Sequence, residues 1–254
     1  MPKIIFDNVS KAFVNNSGQQ IQVIDKLFLE IEPEKITCIL GPSGCGKTTL
    51  INLLAGYIFP DDGYIFYDSQ YINGPGPERA VVFQDQALFL WKTVKENIGF
   101  GLKCQKINEA LREKIINERL DKFGLHGFGD SYPCQLSGGM KQRVGLAGAL
   151  ATRPKVLLMD EPFSSLDEQT REMLQEDLLK IYYEARPTII LVTHNIEEAT
   201  FLADTIVILT KRPGTIKSII KVALPNPRIS EVRNSTEFFQ LRRHIWETIR
   251  EEIK

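Results

Sequence analysis

Histidine and cysteine are scarce: three histidines and four cysteines (Cys38, Cys45, Cys104 and Cys134) in 254 residues. No two cysteines stand at CxxC spacing, so a zinc cluster is not expected, and reduced thiols in a cytoplasmic protein are the simpler reading. Long apolar runs are missing as well. The longest, such as TIILV and TIVIL, have strand length and are too short to span a bilayer. The opening MPKIIFDNVS has no signal-peptide core. A soluble chain is expected, one that could still dock on a membrane protein. Charge of one sign is not in excess: 31 basic and 32 acidic side chains leave −1, which does not recommend a nucleic-acid partner. Internal repeats and low-complexity segments are absent. What is present is ordinary globular composition, 43% hydrophobic and 25% charged, enough for one or two domains with a buried core.

The start reads as β structure: KIIF and LFLEI have strand composition, with NNSGQ as the turn between them. KITCIL is a short apolar run, as a buried parallel strand would be, and TLINLLAGY follows as a helix. DDGYIFYDS suggests a further turn and strand, and RAVVFQ another buried strand. From about 103 to 123 the period changes. Leu111, Ile115, Ile116, Leu120 and Phe123 form one apolar helical stripe. A second helix should begin near Ser137. Then VLLMD, a helix over 168–184, TIILVT, a helix after His194, and TIVILT alternate. Such alternation predicts a parallel sheet with helices on both faces. RPG at 212–214 and LPNPR at 224–228 mark turns. Asn234, with Glu237 three residues later, is the expected start of a last helix. Phe238, Leu241, Ile245, Ile249 and Ile253 line one face of it, as a stripe packing on the parent domain would.

The strongest motif is GPSGCGKTT at 41–49, which matches G-x-x-x-x-G-K-[ST] between a predicted strand and helix. The glycines of Gly41, Pro42, Ser43, Gly44, Cys45 and Gly46 let backbone N–H groups wrap phosphate oxygens. Lys47 supplies a compact charge to the β and γ phosphates. The Thr48 hydroxyl suits Mg²⁺, and with Thr49 it opens a helix whose positive end faces the same anion. VLLMDEP puts Asp160 at the end of a buried strand, where ligands collect in open α/β sheets. Asp160 can hold Mg²⁺, and Glu161 can orient or deprotonate a water. Paired acids capping a helix are the bland alternative, and the phosphate loop in the same chain tips the balance against it. Gln84 and His194 each end a predicted strand, and each alone would pass for a loop or structural residue. The Phe13 ring could stack on adenine or sit in the core. LSGGMKQR at 136–143 raises a further question. Ser137, Gly138 and Gly139 suit a helix start with exposed N–H groups, worth about half a positive charge, although a plain serine cap is the commoner case.

Phe13, the phosphate loop, Gln84, LSGG, the acidic strand end, SSLD and His194 occur in an order that resembles the ATP-binding subunit of ABC transporters, over about 1–228. The resemblance implies that Phe13 stacks on adenine and that Thr48, Gln84 and Asp160 serve Mg²⁺. It makes Glu161 the catalytic carboxylate, acting with Lys47, and His194 the switch histidine. It places Ser137, Gly138, Gly139, Gln142 and Asp167 against the ATP of a partner subunit. GPGPERAVVFQ, FLWKTVKENIGFGL, DEPFSSLD, THNIEEATFLAD and RPGTI look like the nitrate/sulfonate/taurine importer group. That group pairs two ATPase subunits with two transmembrane permease subunits and a soluble substrate-binding protein, at the cytoplasmic face of the membrane. Four positions depart from the pattern: Gly148 for arginine, Asn195 for aspartate, YDS at 67–69 for a DG turn, and Phe13 for tyrosine.

The expected architecture is an α/β P-loop NTPase (RecA-like) core with an N-terminal antiparallel β subdomain. An α-helical signature subdomain is expected over about 85–153, within an ATPase domain over 1–230, followed by an amphipathic helical tail over 231–254. Two copies, identical or paired, should sandwich two ATP molecules head to tail, with a permease docking near 84–101. The rivals are the ATPase of an exporter or of a soluble ABC protein, a small-molecule kinase, and a nucleotide-gated module without hydrolysis.

Overall fold

The computed structural model describes residues 3–85 and 87–253, without the side chain of Ile253, so that last member of the tail stripe lies outside the described residues. Two long strands open the chain, β1 (Ile4–Val14) and β2 (Gln20–Ile31). The turn between them is fastened by Asn15 Oδ1, which accepts the N–H groups of Ser17 and Gln19 at 3.0 and 2.9 Å. Then come β3 (Ile36–Leu40), α1 (Lys47–Ala55), β4 (Asp62–Tyr67), β5 (Gln70–Tyr71) and β6 (Arg79–Val82). Three helices follow: α2 (Val94–Cys104), α3 (Glu109–Lys122) and α4 (Gly138–Ala151). Strand and helix then alternate through β7 (Val156–Asp160), α5 (Glu168–Ala185), β8 (Thr188–Thr193), α6 (Ile196–Leu202) and β9 (Thr205–Leu209), before β10 (Ile216–Lys221) and α7 (Thr236–Ile253).

The strands form two sheets. One is antiparallel, in the order β2-β1-β4-β5. The other runs β10-β9-β3-β8-β7-β6, parallel except for β10 at its edge. Every residue of β3, β7, β8 and β9 is buried, which is why these strands read as unbroken apolar runs. Their side chains alternate between two faces. Ile39, Leu158, Ile190 and Val207 pack with α1 and the antiparallel sheet. Cys38, Met159, Leu191 and Ile206 pack with the helices of the other face. β3 lies between β8 and β9, so the loop after β3 opens where the chain leaves on one side and returns on the other. Ligands gather at such points.

Three points differ from expectation. The stripe expected over 103–123 lies within α3 and its cap, and α2 before it was not expected. α2 begins at a capping box between Thr93 and Glu96, and α3 at Asn108, whose side chain accepts the Leu111 N–H. Ile116, Leu120 and Phe123 are buried, but Leu111 is 44% exposed. α7 starts at Ser235, whose hydroxyl accepts the Phe238 N–H at 3.2 Å. Asn234 is already the last residue of a 3₁₀ turn and cannot also be the cap. β10 was not expected at all. It is a half-exposed edge strand carrying Lys217 and Lys221, a pattern that blunts an open edge.

Candidate functional site

A cleft of about 480 Å³ lies between the turn end of the β1–β2 hairpin and the loop after β3. The loop, 41–46, is folded by its glycines. Gly44 and Gly46 have φ of +77° and +105°, the left-handed region that L side chains rarely adopt. Gly46 caps α1 with no side chain to bond the first helical N–H groups, which leaves them to a ligand. The Lys47 side chain is buried, and its Nζ donates to the carbonyls of Gly41 and Pro42 at 2.9 and 3.1 Å. Ser43, Gly44, Gly46, Lys47, Thr48 and Thr49 all line the cleft. Cys45 is turned inward and buried, and burial pushes its thiol up. Gly41, Pro42 and Cys45 can therefore offer backbone groups only.

Phe13 is 42% exposed and walls the cleft. Its ring is therefore not part of the core. Lys11 Nζ stands 5.7 Å from its ring centre.

Asp160 ends β7 with its side chain buried, and its Oδ1 has no hydrogen-bond partner. Burial raises its carboxyl above the ordinary range. The Thr48 hydroxyl pulls it back, the Glu161 charge raises it further, and Lys47 lowers it. A buried, unpaired carboxylate oxygen beside a threonine hydroxyl fits a divalent cation, because a buried charge without a partner is otherwise costly.

Glu161 adopts φ 45°. Its N–H donates to Val192 O at 2.9 Å, and its carbonyl accepts the Ser164 N–H and hydroxyl at 3.2 and 2.9 Å. A non-glycine residue held this way stores about 1–3 kcal/mol, and the surrounding bonds keep it there. Glu161 Oε2 lies 3.0 Å from His194 Nδ1, a bond that needs the ring proton on Nδ1. The two sequence candidates thus meet, His194 largely exposed and Glu161 partly buried at the cleft. The loop carrying His194 is fixed by Asn195, whose Oδ1 accepts the N–H groups of Glu197 and Glu198 at 2.8 and 3.2 Å. Asparagine therefore serves here as the α6 cap. Behind it Thr193 Oγ1 donates to the buried Glu198 at 2.6 Å, and burial raises the Glu198 carboxyl.

Other expected site residues are not in the cleft. Gln84 is exposed beyond β6 and does not line it. Ser137 and Gly138 are exposed at the start of α4, and the Ser137 hydroxyl accepts the Met140 N–H at 3.3 Å. Gln142, the fifth residue beyond the α4 cap Ser137, is fully buried, with neither amide atom partnered. Asp167 is the cap of α5, and its Oδ1 accepts the Thr170 N–H at 3.0 Å, a bond that lowers its carboxyl. Arg212, which sequence reasoning read only as part of an RPG turn, does line the cleft.

Residues 24–164 match the family model described as ABC transporter. The chain is 43% identical over 251 residues to an uncharacterized ABC transporter ATP-binding protein of Methanocaldococcus jannaschii, covering 99% of this chain and 92% of that one. It is 42% identical over 241 residues to the nitrate import ATP-binding protein NrtD of Synechococcus elongatus, covering 93% and 88%. A dimeric post-hydrolysis structure of an ATP-binding cassette with ADP and Pi shares 28% identity at a TM-score of 0.76, covering 86% of this chain and 98% of that one. Sequence kinship over nearly the full length agrees with a cleft shaped for phosphate, and the chain belongs to the ABC transporter family as one of its ATP-binding, ATP-hydrolysing subunits.

Proposed function

We propose that this subunit powers import of a small solute, nitrate or a similar polar anion, as one of two ATPases on two membrane permease subunits at the cytoplasmic face. The 42% identity to a nitrate import ATP-binding protein supports the importer reading. No helix among the described residues is long and apolar enough to cross a membrane, which suits a subunit that borrows its membrane part. The ATPase domain is read as 1–230, with the helices over about 85–153 as its signature subdomain and 231–254 as a tail.

ATP would enter with its base against Phe13 and its phosphates in the loop 41–49. Lys47 would exchange the carbonyls of Gly41 and Pro42 for phosphate oxygens. Thr48 and Asp160 would hold Mg²⁺, which supplies positive charge against the phosphates. Glu161, aimed by its fixed backbone and by His194, would take a proton from the water that attacks the γ-phosphorus as the bond to ADP breaks. The α4 start would complete the partner's site by aiming N–H groups at its γ-phosphate. One observation carries this pairing: Ser137 and Gly138 are exposed at a helix start yet line no part of their own cleft.

Glu161→Gln tests the reading. It should bind ATP, hydrolyse it at least about a hundredfold more slowly, and run as an ATP-dependent dimer in gel filtration. Near-normal turnover would remove Glu161 from its role. Uptake of nitrate into vesicles carrying the chain with the permeases encoded beside it tests the solute.

A further inference from the structure

Arg212 lies in the turn between β9 and β10, 168 residues beyond Gly44. Its Nε–H and an Nη2–H both donate to the Gly44 carbonyl, at 3.1 and 3.0 Å. Its side chain also lines the cleft. Two donors from one rigid plane fix the direction of that carbonyl. In a trans peptide the C=O and the next N–H point opposite ways. With the Gly44 carbonyl turned out to Arg212, the Cys45 N–H is turned in. There it donates to Pro42 O at 3.3 Å, the same oxygen that accepts from Lys47 Nζ. A phosphate that draws Lys47 off Pro42 therefore meets a Cys45 N–H already facing the same spot. Gly44, at φ +77°, gives this peptide freedom to turn, and Arg212 adds a hold from outside the loop to the bond between Cys45 and Pro42 within it.

The turn carrying Arg212 is itself held. The Gly214 N–H donates to Val23 O at 2.8 Å. Gly214 lies so close to the loop that a Cβ there would stand 2.2 Å from Cys45 O. The Lys211 N–H donates to Glu252 in the last turn of α7 at 2.9 Å. Lys217 Nζ, on β10, donates to Glu251 and Glu252 at 2.7 and 2.9 Å. A chain of contacts thus runs from the C-terminal helix through 211–217 to the phosphate loop.

We infer that Arg212 is a positioning residue that holds the Gly44–Cys45 peptide ready for phosphate, and that Glu252 seats its turn, so the C-terminal helix tunes nucleotide affinity. This rests on the reading of the cleft as the ATP site. Arg212 adds positive charge beside the loop, and its remaining N–H groups stay available to the nucleotide.

Equilibrium binding of Mg-ATP to the full chain, with steady-state turnover, tests it. Arg212→Ala should raise the dissociation constant about tenfold, and raise KM far more than it lowers kcat. Arg212→Lys should not restore binding, because a lone ammonium cannot hold the carbonyl from two fixed donors. If Arg212→Ala fails to fold, Arg212→Lys carries the same measurement. Glu252→Ala should weaken binding about threefold and add nothing to Arg212→Ala in the double variant. Unchanged affinity in Arg212→Ala, with binding abolished in Lys47→Ala, overturns the inference and leaves the ATP site standing. Full ATP binding by Lys47→Ala overturns the site itself. Additive effects of Arg212→Ala and Glu252→Ala break the link to α7.

Discussion

Asp160 keeps one carboxylate oxygen buried without a hydrogen-bond partner, and in the empty subunit the Thr48 hydroxyl and the Lys47 charge offset its burial only in part. A carboxyl raised above its ordinary 3.8 by burial favours the protonated form in the fold. Its cost is absent below that value and is incurred as pH rises from there through the folded pKa. Asp160→Asn should therefore raise the stability of the nucleotide-free subunit by about 1 kcal/mol, or about 2–4 °C in Tm for a chain of this size, while abolishing turnover. A calorimetric scan without nucleotide checks this, and a lowered Tm would contradict it. Glu161 shows the same trade in its backbone, held at φ 45° by bonds from Val192 and Ser164. Strain and unpaired charge gather on two consecutive residues, as expected where function sets the local geometry.

Among the elements, α2 and α4 show how glycine sets a spacing. A Cβ on Gly99 of α2 would stand 2.7 Å from Ile116 Cδ1, so the end of that α3 side chain would have to move. Gly148 of α4 differs. A Cβ there would stand 3.5 Å from Asn97 O and 3.7 Å from Ile98 Cα, ordinary contact. Gly148→Ala should fit and stabilise the fold by about 1 kcal/mol through helix propensity, read as a higher denaturation midpoint with unchanged turnover. The same pair explains what the sequence could and could not reveal. β3, β7, β8 and β9 were legible because burial on both faces makes them uniform apolar runs. α2 was hidden because Gly99 and Gly101 answer to side chains of other helices, Ile116 and Thr152. β10 was hidden because half of it faces outward. The phosphate loop was legible because its chemistry is contiguous. Arg212 was not, since its meaning arises only where it meets Gly44 across 168 residues. The burial of Gln142 was not legible, because a motif letter does not say which way a helical residue points.

At the scale of the molecule, the exposed α4 start at Ser137 and Gly138 lines no part of the chain's own phosphate-loop cleft. On the proposed head-to-tail pairing, Ser137→Arg should leave ATP affinity of the single subunit within about twofold, since surface substitutions away from a site shift free energies little, yet abolish hydrolysis. Wild-type specific activity should rise with protein concentration. A monomer active at the lowest concentration would refute the pairing. The Ser137 helix start also bears on the life of the chain before assembly. A newly made copy, dilute and not yet gathered onto a permease, would hold its nucleotide intact, because hydrolysis would be second order in free subunit. The enzyme would then need no separate inhibitor: its idle state would be solitude, and the permease, by bringing two copies together, would be the switch.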